Sequence, residues 1–118
     1  MADFTTVKRN SDFRRAYSRG KSYRDPALIT TVIKDRAGES RIGITTGKKI
    51  GGAVQRNRAR RIIRAAFAEV SGSIKPGYDI IFIARTKTCQ MKSTQLVPVM
   101  KRHLNAAGLH PWEDAGNE

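Results

Sequence analysis

Apolar positions along this chain follow two rhythms. Residues 27–34, ALITTVIK, and 41–46, RIGITT, are rich in β-branched side chains and of strand length, with Ile42 and Ile44 on one face. The polar DRAGES segment at 35–40, with Gly38, predicts a turn, so the two strands are expected to pair as an antiparallel hairpin. After a turn at Pro76 and Gly77, YDIIFIA at 78–84 is an apolar run of strand length. Elsewhere the period is helical. Phe13, Ala16 and Tyr17 follow a cap at Asn10 or Ser11, and Gly20 ends that turn. Over 53–70, Ala59, Ile62, Ile63, Ala66 and Val70 gather into one stripe with Phe67 at its margin. Over 92–107, Leu96, Val99, Met100 and Leu104 share a side, and Pro98 must sit in the first turn or bend the helix. The order α-β-β-α-β-α predicts an α+β domain with helices packed on a small sheet. A chain of 118 residues suits one domain, here 1–118. Its ordered part is expected to run from about residue 5 to 110, with the end of GLHPWEDAGNE frayed.

Charge changes the picture. Lys and Arg number 23 against 10 acidic residues, a net charge of +13. Such an excess repels itself in the compact state, and a polyanionic partner offsets the repulsion. The excess is concentrated in KKIGGAVQRNRARRIIRAAF at 48–67, and no acidic residue occurs between positions 41 and 68. On the helix, Asn57, Arg60, Arg61 and Arg64 fall at i, i+3, i+4 and i+7, opposite the apolar stripe. Arg56 lies near the apolar border and Arg58 near the other flank. The interleaving of charge and hydrocarbon is therefore amphipathicity. One face is clamped to the core; the other is a row of guanidinium groups spanning about 10 Å, suited to gripping phosphates bidentately. Lys48, Lys49 and the Gly51-Gly52 pair precede the positive end of that helix.

Other functions fit less well. A merely solvated face is expected to carry compensating Glu, which this one lacks. The apolar stripe is modest Ile and Ala, needed for the core, which disfavours a membrane-surface helix. The N-terminal MADFTTVKRN has no apolar run, and the single cysteine, Cys89, excludes an intrachain disulfide. These features predict a cytoplasmic protein with Cys89 as an inert small thiol. The acidic residues are scattered in sequence, and His103 and His110 lack a Cys companion at metal-ligand spacing. His103 is expected as a polar residue at the edge of the last helix. A self-sufficient nuclease would need a carboxylate cluster or a positioned acid–base pair, and none is legible. The expected catalytic and metal residues are thus none.

Lys48-Lys49-Ile50-Gly51-Gly52-Ala53-Val54-Gln55-Arg56-Asn57-Arg58, continuing to Arg60, Arg61 and Arg64, resembles the hallmark segment of the protein subunit of bacterial ribonuclease P. SDFRRAYSRGKS upstream, RIGITTGKK and GYDIIFIAR also match that family in order and spacing, so the resemblance spans about residues 8 to 107. It implies a small mixed sheet with helices in the order α-β-β-β-α-β-α, similar to the second domain of a ribosomal protein. It also implies a left-handed crossover through the Arg-rich helix, against the usual right-handed preference. The implied activity is removal of the 5′ leader of precursor tRNA by a ribonucleoprotein, with Mg²⁺ bound mainly by the RNA subunit and no small-molecule cofactor. Arg56, Asn57, Arg58, Arg60, Arg61 and Arg64 would then bind the RNA subunit, and Phe13, Tyr17, Lys48, Lys49 and Arg85 the leader. Tyr17 stands where the family commonly has Phe. Thr30 and Thr31 are expected on the exposed side of the first strand, where relatives often carry an aromatic. The alternative is a ribosomal or general RNA-binding protein without enzymatic association.

Overall fold

A computed structural model describes residues 4–109. Its elements are β1 (Thr5–Thr6), α1 (Asn10–Arg19), β2 (Lys21–Asp25), β3 (Leu28–Lys34), β4 (Arg41–Thr45), α2 (Ala53–Val70), β5 (Tyr78–Ala84) and α3 (Ser93–Ala106). The strands form one five-stranded sheet in the order β1-β4-β5-β3-β2. After the two-residue β1, the order is the α-β-β-β-α-β-α of the resemblance.

The expected hairpin of 27–34 with 41–46 does not form. β5 lies between these strands, antiparallel to β3 and parallel to β4. The reason is in β5 itself. Ile80, Ile81 and Phe82 are all fully buried, so both its faces need cover and both its edges need partners. The crossover from β4 to β5 runs through α2. β2, KSYRD, pairs with β3 antiparallel at the sheet edge. It is mostly exposed and has a single aromatic, so periodicity alone does not find it.

The two faces of the sheet are covered differently. α2 and α3 pack on one face, where Ile63, Ala66, Val70, Leu96, Met100 and Leu104 meet Leu28, Val32, Ile80 and Phe82. Each of the fully buried Ile, Leu, Met, Val70 and Phe side chains among them contributes about 1.5–3 kcal/mol. The opposite face receives α1, whose Ala16 and Phe13 pack with Val7, Ile81 and Ile33. Gly20 joins α1 to β2 at a close approach, since a Cβ there would lie 2.6 Å from the Ala16 carbonyl oxygen and 2.8 Å from that of Val32. α1 begins at Asn10, with Arg9 rather than Asn10 or Ser11 at the cap position.

Two further expectations, on Thr30 with Thr31 and on His103, need correction. Thr30 and Thr31 are fully buried, not exposed. The Thr30 hydroxyl bonds His103 Nδ1 at 2.8 Å and the Thr31 hydroxyl bonds that of Ser22 at 2.8 Å. His103 is accordingly buried rather than at an edge, and burial pushes its pKa down. Pro98 lies inside α3, beyond its first turn. The carbonyl it deprives of a partner belongs to Thr94, an exposed residue within reach of water. Cys89 is half-buried, with its thiol toward the Thr86 carbonyl. His110 and the chain end lie outside the described residues. Among the described residues, no helix is long and apolar enough to cross a membrane.

Candidate nucleic-acid interface

The basic helix has the two faces its sequence predicts. Ala59, Ile63, Ala66 and Val70 are fully buried, Phe67 is buried and Ile62 is half-buried. Asn57, Arg58, Arg61 and Arg64 are exposed, while Arg56 and Arg60 are half-buried. At the start of the helix the Gln55 side chain accepts from the Gly52 N–H at 3.1 Å. Among the described residues no arginine of α2 has a carboxylate partner. Arg60 instead donates to the Thr46 hydroxyl at 2.7 Å and to Asn57 Oδ1. Thr46 follows the last residue of β4, so the arginine face begins beside the sheet.

On the other face, α1 leaves part of the sheet open. Cross-strand register places Gly43, Ile81, Thr31 and Ser22 in one row, and Thr45, Ile83, Ile29 and Arg24 in the next. The first row lies under Phe13. A Cβ on Gly43 would fall 2.8 Å from Phe13 Cε1, so the absence of a side chain there seats the ring. The second row is half-buried at Thr45, Ile83 and Ile29 and exposed at Arg24. Tyr17 reaches over it from α1, with its hydroxyl 2.7 Å from Thr45 Oγ1, and is itself 44% exposed. The rings of Phe13 and Tyr17 stand 6.4 Å apart at a 42° tilt. The result is a cleft with an aliphatic floor, an aromatic wall and a basic rim.

That rim is formed where β4 and β5, being parallel, end together. Lys48 and Lys49 are exposed on a short 3₁₀ turn beyond β4. Arg85, exposed just beyond β5, donates to the Asp25 carbonyl at 3.3 Å. Phe13 and Tyr17 thus stand together on α1 over the sheet, while Lys48, Lys49 and Arg85 lie just past the ends of its two parallel strands. Phe13 is half-buried and shared with the core, whereas Tyr17 is the open ring. Thr45, Ile83, Ile29 and Arg24 complete the cleft. They escape sequence reasoning because only the strand order aligns them.

A second convergence is also invisible in sequence. Asp12, Asp35 and Asp79 surround Arg41, which meets Asp12 at 3.2 Å, Asp35 at 3.0 Å and Asp79 at 2.7 Å. Burial pushes the Asp79 pKa up, while a hydrogen bond with Asp79 is the main influence holding Asp35 down. The bond to Asp79 raises the Arg41 pKa further, so the guanidinium remains charged. The cluster ties α1 to the sheet. It does not suit a metal ion, since its carboxylates already face a cation, and no group of three His, Cys, Asp or Glu among the described residues could hold one.

Sheet, helices and surface together define a small basic α+β protein of the nucleic-acid-binding class. A family model for ribonuclease P matches residues 1–108. The ribonuclease P protein component of Clostridioides difficile strain 630 is 45% identical over 83 residues, covering 70% of this chain and 73% of its own. That of Clostridium kluyveri is 34% identical over 110 residues, covering 92% and 98%. The solved RNase P protein of Staphylococcus aureus superposes with a TM-score of 0.78 at 30% identity, covering 92% of this chain and 99% of that one. The Thermotoga maritima protein gives 0.73 at 26%, covering 84% and 94%. The chain belongs to the ribonuclease P protein component family. It is the protein subunit of an endoribonuclease whose other component is RNA.

Proposed function

We propose that the chain docks on the RNA subunit through Arg56, Asn57, Arg58, Arg60, Arg61 and Arg64, and receives the 5′ leader of precursor tRNA in the cleft beneath Tyr17. The observation that carries this reading is the open Thr45–Ile83–Ile29–Arg24 row, walled by Tyr17 and rimmed by Lys48, Lys49 and Arg85. Single-stranded RNA is held by aromatic rings beside a positive groove, the rings taking bases and the cations taking phosphates. A leader is such a single strand.

In this reading the hydrolysis belongs to the RNA subunit, which binds Mg²⁺, and the product is the mature tRNA 5′ end. The residues here bind, orient and neutralise charge, and the holoenzyme works in the cytoplasm. The test is reconstitution. Protein alone in Mg²⁺ should not cleave precursor tRNA, and the added RNA subunit should restore leader removal. Activity of the repurified, nuclease-treated protein by itself would overturn the division of labour.

A further inference from the structure

A second basic surface lies on the far side of α1. A groove of about 970 Å³ runs from Tyr17 across that helix to the β3–β4 turn. Its cations are Arg9, Arg14, Arg15, Arg19 and Arg36, with Arg41 at its floor. The carboxylates in its wall do not neutralise these side chains. Asp12 and Asp35 are turned on Arg41, and Asp35 also accepts from the N–H groups of Ala37 and Glu39. Glu39 is the one remaining acid of the lining and is exposed. Among the described residues none of the five arginines has a carboxylate partner. Arg15 Nε is shielded from solvent and has no hydrogen-bond acceptor among the described residues, an arrangement that costs free energy until an acceptor arrives. Arg15 and Arg19 stand four apart, so their like charges repel along one side of the helix.

We propose that this groove binds phosphates of the leader segment upstream of the nucleotides in the cleft. The proposal rests on the cleft reading above and extends the path of the same strand. Two observations favour the leader over the RNA subunit as the occupant. Tyr17 borders both cleft and groove, so a strand leaving the cleft past Tyr17 enters the groove directly. The arginine face of α2, assigned to the RNA subunit, belongs to a helix on the opposite side of the sheet. Arginine forks along a groove hold a phosphodiester backbone without reading its sequence, so the site should add affinity with leader length and not with base identity.

The test uses the reconstituted holoenzyme and precursors with leaders of about 4 and about 16 nucleotides, a span that separates cleft from groove. Arg15→Gln, Arg19→Gln and Arg36→Gln are combined. The long-leader precursor should bind about 10-fold more weakly, and its salt slope should fall by about 2. Affinities for the short-leader precursor and the RNA subunit should stay unchanged. Equal losses for both leaders, an unchanged long-leader affinity, or a loss confined to the RNA subunit would each overturn the proposal. Phosphate ethylation of the long leader in the wild-type complex is a second measurement that needs no variant. Interference at upstream phosphates supports the groove, and its absence counts against it. Failure of the cleft reading shows separately, as leader discrimination that survives Tyr17→Ala.

Discussion

Tyr17 and Arg60 belong to helices on opposite faces of the sheet, yet they bond to adjacent residues at the end of β4. The Tyr17 hydroxyl meets Thr45 Oγ1 at 2.7 Å and Arg60 donates to Thr46 Oγ1 at 2.7 Å. Two surfaces proposed for different RNAs thus share one strand end. A phosphate that draws Arg60 away from Thr46 acts one residue from the anchor of the cleft's aromatic wall. Tyr17→Phe and Thr46→Val, singly and together, should show coupling of about 0.5 kcal/mol or more in leader affinity of the holoenzyme. Additive effects would mean that the two bonds are independent.

The two faces of α2 should separate binding from folding. Replacing Arg60, Arg61 and Arg64 with Ala should weaken binding of the RNA subunit and reduce its salt dependence while leaving circular dichroism unchanged. Ile63→Ala, at a fully buried position, should destabilise the domain by about 2–5 kcal/mol. Half-buried Ile62 should cost less. Comparable unfolding from both sets of changes would invert the assignment of the faces.

Gly43 is the seat of Phe13. Gly43→Ala places a Cβ 2.8 Å from Phe13 Cε1 and 2.9 Å from Ile81 Cδ1. The ring should shift, costing about 1–3 kcal/mol in denaturant stability. Leader-bearing precursor should bind more weakly, and mature tRNA should bind as before. Loss of both affinities in a folded variant would assign Phe13 to the core alone.

His103 makes stability depend on pH in a defined direction. Its pKa is pushed below 6.5, chiefly by burial and also by the Arg102 charge, against the opposing pull of Asp25. The unfolded chain therefore takes up more protons than the folded one as pH falls through 6.5, and stability declines until the folded-state pKa is passed. Thermal melts at about pH 7.5 and about pH 5.5 bracket most of this window. The wild type should melt lower in acid. His103→Gln should be weaker at the higher pH, having lost its packing, and flatter between the two. A melting temperature that rises on acidification would contradict the buried neutral imidazole.

The sequence reveals what is local and periodic. α2 shows both its faces because charge and hydrocarbon alternate at helical spacing, and β5 shows itself as an unbroken apolar run. Strand order is not local, so β3 and β4 read as a hairpin when β5 in fact divides them. β2 is concealed by its polar edge position. The cleft is half legible for the same reason. Tyr17, Lys48, Lys49 and Arg85 stand within recognisable motifs, whereas Ile29, Ile83 and Arg24 become neighbours only through pairing across three strands. Thr30 misleads because its hydroxyl suggests solvent, while its partner, His103, lies far along the chain.

The central place of β5 has a kinetic consequence. Leu28 pairs with Ala84 and Arg41 with Asp79, so during synthesis β3 and β4 have no common neighbour until the last strand emerges. The arginine segment is made before it, and its apolar stripe must wait for the sheet it covers. Such non-local pairing slows folding by the entropy of closing long loops. Nascent chains halted before residue 78 should be sensitive to protease across the basic segment, and those extended through α3 should resist it. The highly charged arm is thus exposed on the ribosome before it is folded, a period in which repulsion among its arginines disfavours premature collapse.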